Sequence, residues 1–170
     1  MAMRTLRLAL ALAIAAFAAI ALLPSSAAAD DASVFAAYNG HQEEFAQAAA
    51  NYRRAVRNAR RSSRGATDDQ LRAIIDADKQ INAVLVTITG EVKAQQPSGP
   101  PGARAKKYAL RNLILFKKAN DLEILSYEHL LDGKKRASDA AYRRGIQTLK
   151  RSSRYGKLAV KAFDKLGLRN

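Results

Sequence analysis

Apolar side chains recur at alternating steps of four and three residues along most of this chain, and this spacing most constrains its fold. The pattern runs through residues 34–59, 71–92 and 142–163, and residues 110–130 form a wider apolar stripe of Leu, Ile, Phe and Ala. In the fourth segment the steps fall on Tyr142, Ile146, Leu149, Ser153, Gly156, Val160 and Phe163. Side chains at such steps fall on one face of an α-helix, which is then buried against a neighbouring helix. The sequence therefore predicts four long helices, each of about 28 residues and about 42 Å.

Residues that typically begin or end helices separate these four segments. Gly65, Gly133 and Gly167 stand where glycine commonly stops a helix. Residues 67–70 (Thr-Asp-Asp-Gln) match a capping box, which marks a helix start. The clearest break is the Pro- and Gly-rich segment 96–103, which divides the chain into two helical hairpins.

Residues 84–89 of the second helix are β-branched and alternating, which by itself suits a strand. No second strand candidate offers this segment a partner, and the helical spacing continues through it. We therefore assign it to the helix and allow a kink at Gly90. We expect the first helix to be unbroken up to Gly65, the third to begin near Arg104 and the fourth near Ser138.

Equal helix lengths and short connections favour antiparallel neighbours. The predicted fold class is all-α, with residues 30–170 forming an up-down antiparallel four-helix bundle of long helices. In this domain the 96–103 loop joins two hairpins. The alternative is that the hairpins open at this loop and pair between two chains.

The first 29 residues differ in composition and are predicted to be a secretory signal peptide. Arg4 and Arg7 form a short positive region, residues 8–23 are apolar, and residues 27–29 form an A-x-A cleavage site. We expect cleavage after Ala29, a secreted or periplasmic location, and no transmembrane segment in the mature chain. An uncleaved anchor is the alternative, although this apolar run is shorter than the span of about 20 residues that a bilayer requires.

The residue inventory excludes several classes of reactive site. Without cysteine the chain has no disulfide, thiolate zinc site, iron–sulfur cluster, c-type haem attachment or cysteine nucleophile. His41 and His129 lack the preceding Glu of di-metal bundles, and an up-down bundle would separate their rings by about 28 Å. No glycine-rich phosphate loop or nucleophile motif is present. We expect no catalytic residue, metal or cofactor, with a single-histidine haem pocket as the alternative.

Asp78 is an acidic residue within an apolar seam. A buried carboxylate needs a partner, or it takes up a proton. Counting residues along antiparallel helices places Asp78 level with Tyr52 and Arg53. We therefore predict a polar layer in the core, formed by Asp78 with Tyr52 or Arg53, that fixes the register of the helices. The alternative is a ligand-binding or proton-handling site.

Positive charge is concentrated towards the C-terminus and gives the strongest functional signal. Residues 104–170 contain 18 basic and six acidic residues, and the whole chain has a net charge of +14. On the fourth helix the basic residues recur at helical steps and form one stripe. The predicted binding residues are Arg143, Lys150, Arg154, Lys157, Lys161 and Lys165, with Arg53 and Arg57 of the first helix extending the surface.

These features predict an exported, non-catalytic basic helical protein that binds an anionic component electrostatically. The candidate partners are an anionic envelope polymer, membrane headgroups or an acidic protein. Nucleic acid is disfavoured because export removes the chain from it. The alternatives are a stripe that is only a solvated surface, a structural protein that self-associates, and a cofactor-binding four-helix bundle.

Overall fold

The computed structural model describes residues 29–61 and 65–168, and both ranges are helical apart from short connections. No strand occurs within these ranges, so the predicted all-α class is confirmed. The helices are α1 (Ala29–Asn39), α2 (Gln42–Arg61), α3 (Asp68–Ala94), α4 (Pro100–Leu131) and α5 (Lys135–Lys165). Residues 1–28 of the predicted signal peptide lie outside the described residues.

The first predicted helix is divided in two, so the expectation of one unbroken helix is wrong. A turn at Gly40 and His41 separates α1 from α2. The side-chain amide of Asn39 donates to the carbonyl oxygen of Phe35 at 3.0 Å and so competes with the helical backbone. Glycine at the next position further weakens the helix. Val34 of α1 is nevertheless buried, so the apolar face continues across the turn.

α3 begins at the capping box and continues through the β-branched segment. The backbone N–H of Gln70 donates to Oγ1 of Thr67, and the backbone N–H of Thr67 donates to Oε1 of Gln70. The hydroxyls of Thr87 and Thr89 donate to carbonyl oxygens four residues earlier. Their polar atoms are therefore satisfied inside a helix, and α3 continues past Gly90.

Both C-terminal helices begin earlier than predicted. α4 starts at Pro100, inside the predicted loop, because proline is tolerated in a first turn where its missing N–H has no helical partner. α5 starts at Lys135 rather than near Ser138. Gly133 and Gly167 have φ values of +72° and +74°, the left-handed conformation that stops a helix.

Hydrogen-bonded side chains join each long helix to the next one along the chain. The pairs are Asn51–Gln80 between α2 and α3, Asn82–Asp121 between α3 and α4, and Asn112–Ser152 and Ser126–Ser138 between α4 and α5. Of the two pairs between α4 and α5, Ser126–Ser138 is the closer in sequence and lies nearer the turn that joins these helices. Two further bonds cross the core from the N-terminal helices to α4, namely Tyr38–Asn112 and Tyr52–Glu123.

The apolar seam predicted for the fourth helix is partly wrong. Ser153 and Val160, which the spacing placed inwards, are exposed, whereas Ser152 and Ala159 are buried. The reason is that α5 packs closely on α4 through small residues. A Cβ atom on Gly145 would lie 3.4 Å from the carbonyl oxygen of a residue in α4. The full buried set of α5 is Ser138, Ala141, Gly145, Thr148, Leu149, Ser152, Ala159 and Phe163.

Candidate functional site

The predicted basic stripe lies on the solvent-facing side of α5. We define the α5 stripe as Arg143, Lys150, Arg154, Lys157, Lys161 and Lys165, and all six side chains are exposed. From Lys150 to Lys165 it extends for about 22 Å along the helix axis. The small buried residues of α5, such as Gly145 and Ser152, lie on the opposite side of the helix. The stripe therefore faces away from the core.

Within the described residues, no cation of the α5 stripe forms a salt bridge. The salt bridges in those ranges are His41–Glu44, His41–Glu91, Lys117–Asp121 and Lys134–Asp132. Arg143 instead donates from Nε to the carbonyl oxygen of Asp139 at 3.3 Å. Like charges one turn apart repel by a few tenths of a kcal/mol. The positive field of the stripe is therefore directed into solvent, with Asp139 and Asp164 as the acidic residues of the same helix.

A second row of exposed cations, on α4, was not predicted. We define the α4 row as Arg104, Lys107, Arg111 and Lys118, all of which are exposed. Residues 104–118 contain no Asp or Glu, and neither do residues 146–160 of α5. The hydrogen bond between Asn112 and Ser152 places these two segments side by side. A count of charges over 104–118 would have revealed this row.

The ring of Tyr155 on α5 contacts one cation of the α4 row. The guanidinium carbon of Arg111 lies 5.8 Å from the centroid of this ring, within the range of a cation–π interaction. The ring of Tyr108 packs against the ring of Tyr155, and the two ring centroids are 6.2 Å apart. Arg151 is exposed one turn before Tyr155 on α5. Arg111 and Tyr155 thus join α4 to the flank of α5, whereas the α5 stripe lies on the side of that helix away from α4.

The two remaining predicted binding residues, Arg53 and Arg57, lie on α2 and are exposed. α2 packs most closely on α3, while α5 packs most closely on α4. Among the described residues, α2 and α5 are not joined by comparably close backbone packing. Arg53 and Arg57 therefore belong to a helix pair different from the one that carries the α5 stripe and the α4 row.

A buried polar cluster occupies the core where α2, α3 and α4 meet. Asp78 of α3 is completely buried, and Tyr52 of α2 is 1% exposed. Glu123 of α4 is also buried, and its Oε1 accepts hydrogen bonds from Tyr52 at 2.6 Å and from Tyr127 at 3.2 Å. Arg53, the other partner that the sequence suggested for Asp78, is exposed on α2. The cluster therefore contains two carboxyl groups and two tyrosines.

Two asparagines next to Asp78 have fixed orientations. Asn82 donates from Nδ2 to Oδ1 of Asp121 at 2.8 Å, which turns its own Oδ1 towards Asn120. Asn120 donates from Nδ2 to that Oδ1 at 3.2 Å and to the backbone oxygen of Asp78 at 2.8 Å. Both hydrogens of the Asn120 amide are used, so its Oδ1 is an acceptor. This atom and both carboxyl oxygens of Asp78 have no hydrogen-bond partner.

Burial and the neighbouring acid alter the proton affinities in this cluster. Burial, and then the charge of Glu123, raise the pKa of Asp78 well above its ordinary value. Burial also raises the pKa of Tyr52, with the charge of Glu123 as the next contribution. Tyr52 therefore stays a hydroxyl donor at neutral pH, and Asp78 favours its neutral form.

Sequence reasoning missed Glu123 and Asn120. The apolar stripe predicted for the third helix contained only Leu, Ile, Phe and Ala, so polar members were passed over. The signal was present, because residues 113, 116, 120, 123 and 127 follow one another at helical steps of three and four. All five positions are buried.

The two histidines lie in different surroundings. Both ring nitrogens of His41 bind carboxylates, with Nδ1 3.0 Å from Glu44 and Nε2 2.9 Å from Glu91. His129 is half-buried near the end of α4. Across residues 29–61 and 65–168, no group of three or more Asp, Glu or His side chains is arranged to hold a metal ion.

Comparisons with known proteins give no family. No protein-family model matches the sequence, and neither a curated protein nor a solved structure matches it. None of the helices in the described ranges combines the length and the apolar character needed to cross a bilayer.

Proposed function

We propose that this chain is an exported, non-catalytic binding protein that attaches electrostatically to an anionic component of the cell envelope. The observation that carries this proposal is the α5 stripe, whose cations are exposed and form no salt bridge within the described residues. The α4 row adds exposed cations on the helix that packs against α5. The candidate partners are an anionic polymer, membrane headgroups or an acidic protein.

The proposal includes export and a bundle architecture. Export rests on residues 1–29, which have the composition of a signal peptide cleaved after Ala29 and would lead to a secreted or periplasmic protein. An up-down antiparallel four-helix bundle is favoured by the hydrogen-bonded pairs that join each long helix to the next. In this arrangement α1 and α2 together act as the first helix.

The energetics favour a binding role for the stripe over a purely solubilising one. A surface that only maintains solubility normally intersperses both signs of charge. Residues 104–118 and 146–160 instead carry positive charge alone. Near an anionic surface each Lys or Arg contributes about 1 kcal/mol, so several cations acting together give stable but salt-sensitive attachment.

Co-sedimentation with purified host envelope fractions tests the proposal. We expect the mature chain to bind at low salt and to be released as salt rises. The test variant replaces Lys150, Arg154, Lys157 and Lys161 with Glu, and we expect it not to bind. The matched control replaces Arg53, Arg57, Arg60 and Arg61 on α2 with Glu, which changes the net charge equally.

The control separates a specific surface from net charge. Retained binding by the α2 variant, together with lost binding by the α5 variant, assigns attachment to the α5 stripe. Equal loss in both variants would mean that overall charge is responsible. Unchanged binding of the α5 variant would contradict the proposal. Vesicles of anionic lipid, compared with isolated envelope polymer, then distinguish the two sources of negative charge.

A further inference from the structure

The buried cluster distributes its hydrogen-bond donors unequally between its two carboxyl groups. Glu123 Oε1 accepts from the hydroxyls of Tyr52 and Tyr127, which stabilises a negative charge on that side chain. Asp78 is at least as deeply buried, but neither of its oxygens accepts a hydrogen bond. An ionised carboxylate in such a position lacks both solvation and a counter-charge.

The amides around Asp78 cannot supply the missing donors. Asp121, which forms a salt bridge with Lys117, can only accept, and it therefore fixes the amide of Asn82. Asn82 in turn fixes Asn120, whose two hydrogens are directed at Oδ1 of Asn82 and at the backbone oxygen of Asp78. The remaining polar side-chain atom of Asn120, its Oδ1, is an acceptor without a partner. Asn120, which bonds to the Asp78 backbone, thus offers no free donor to the carboxyl group, and a buried carboxyl group without donors favours its protonated form.

We propose that Asp78 and Glu123 form a buried proton-binding site, in which one proton resides on Asp78 and the negative charge resides on Glu123. The proton converts one oxygen of Asp78 from an unpartnered acceptor into a donor. It also removes the second negative charge from the core. The groups that act on the pair are Tyr52 of α2 and Tyr127 of α4.

This site couples the proton concentration outside the protein to the packing of α2, α3 and α4. Loss of the proton leaves two like charges in a region of low dielectric constant, and their repulsion opposes the contact between α3 and α4. Because the folded state binds this proton more tightly than the unfolded chain does, the stabilisation is fully present below the ordinary Asp pKa of 3.8. This stabilisation is lost as pH rises through the pKa that Asp78 has in the folded state.

Infrared spectroscopy of the protein purified from its own host tests the assignment directly. We expect the carbonyl stretch of a protonated carboxylic acid at neutral pH, and we expect it to disappear in Asp78→Asn. The matched control is Asp76→Asn, which alters an exposed carboxylate on α3, the helix of Asp78, and should keep the band. Absence of the band from the wild-type protein, or its persistence in Asp78→Asn, would overturn the proposal.

Urea unfolding across a pH series provides a second measurement. Asn imitates a permanently neutral Asp, so the unfolding midpoint of Asp78→Asn should fall less steeply with rising pH than that of the wild type. An identical slope for both proteins would count against the site. If the variant does not fold, the wild-type infrared band still decides. Release of a stoichiometric metal ion from the wild-type protein by a chelator would show that a cation, and not a proton, neutralises the pair, and it would overturn the proposal.

Discussion

The hydroxyl of Tyr38 donates a 2.8 Å hydrogen bond to Oδ1 of Asn112, and this bond links α1 to the α4–α5 pair. The amide of Asn112 donates onward to the backbone oxygen and the hydroxyl of Ser152, each at 3.0 Å. Ser152 donates back to the carbonyl oxygen of Asn112 at 2.9 Å. Three helices are thus held by one buried network, in which the loss of any member leaves a polar partner unsatisfied.

Tyr38→Phe removes the donor and leaves Oδ1 of Asn112 buried without it. Burial raises the pKa of Tyr38 well above its ordinary value, so the hydroxyl is a donor throughout the neutral range. We expect the free energy of unfolding to fall by about 1–3 kcal/mol. Urea unfolding measures this loss. Tyr108→Phe, at a half-buried position on α4, is the control and should change the stability by less.

Two glycines within helices should respond to alanine in opposite directions. A Cβ atom on Gly156 would lie 3.1 Å from Nδ2 of Asn112, whose position is fixed by its own hydrogen bonds. We expect Gly156→Ala to destabilise the protein by about 1–3 kcal/mol. Gly90 has nothing within 4 Å of such an atom. Gly90→Ala should therefore stabilise by about 0.5–1 kcal/mol through helix propensity.

Urea midpoints of these two variants, measured at one pH, check the prediction. Because both changes add one methyl group at a helical glycine, the difference between them reports the contact with Asn112. Equal stabilisation by the two alanines would show that α5 can move away from α4 without cost.

The sequence predicts the helices of this protein better than it predicts their faces. Helix class and the capping box at Thr67 depend on local chemistry, which neighbouring residues determine. The inward face of α5 depends instead on how closely α4 approaches it. Small residues such as Gly145 and Ala159 carry little hydrophobic signal, so the periodicity favoured the larger Val160.

The buried cluster shows a similar division. Residue counting placed Asp78 beside Tyr52, because that step needs only helix rise and the position of the turns. Glu123 was not predicted as a member of the cluster, because its role depends on a third helix. The direction of a side chain across a core is a tertiary property. On the surface, the α5 stripe was predictable from spacing alone. The α4 row was not predicted, and its contact with α5 through Arg111 and Tyr155 is a tertiary property.

His41 should make the stability depend on pH around neutrality. Its hydrogen bonds to Glu91 and then to Glu44 raise its pKa above the ordinary value of 6.5. The folded state therefore holds the proton more tightly than the unfolded chain does. This stabilisation is fully present below pH 6.5 and is lost as pH rises through the folded pKa of His41.

The measurement compares the wild type with His41→Gln in urea at several pH values. We expect the difference in unfolding free energy to be largest in mild acid and to shrink in mild alkali. Glu91→Gln removes the carboxylate whose hydrogen bond raises the pKa of His41 most, and it should reduce the same dependence. A difference that stays constant with pH would show that His41 contributes through packing rather than through its charge.

The carboxylate of Asp31 should anchor α1 to the start of α4. It is buried, and it accepts hydrogen bonds from the backbone N–H of Ser98 at 3.0 Å and from the Ser98 hydroxyl. A Cβ atom on Gly102, in the first turn of α4, would clash with this carboxylate. Asp31→Ala and Gly102→Ala therefore break the same contact from opposite sides.

Each of these changes should cost about 1–3 kcal/mol, since each leaves the Ser98 amide without its acceptor. Their effects should not add, because the alanine at position 31 removes the atoms that the methyl group at 102 would meet. Hydrogen exchange should quicken in α1 while the central turns of α3 keep their protection. Additive losses in the double variant, or unchanged exchange in α1, would show that Asp31 and Gly102 act independently.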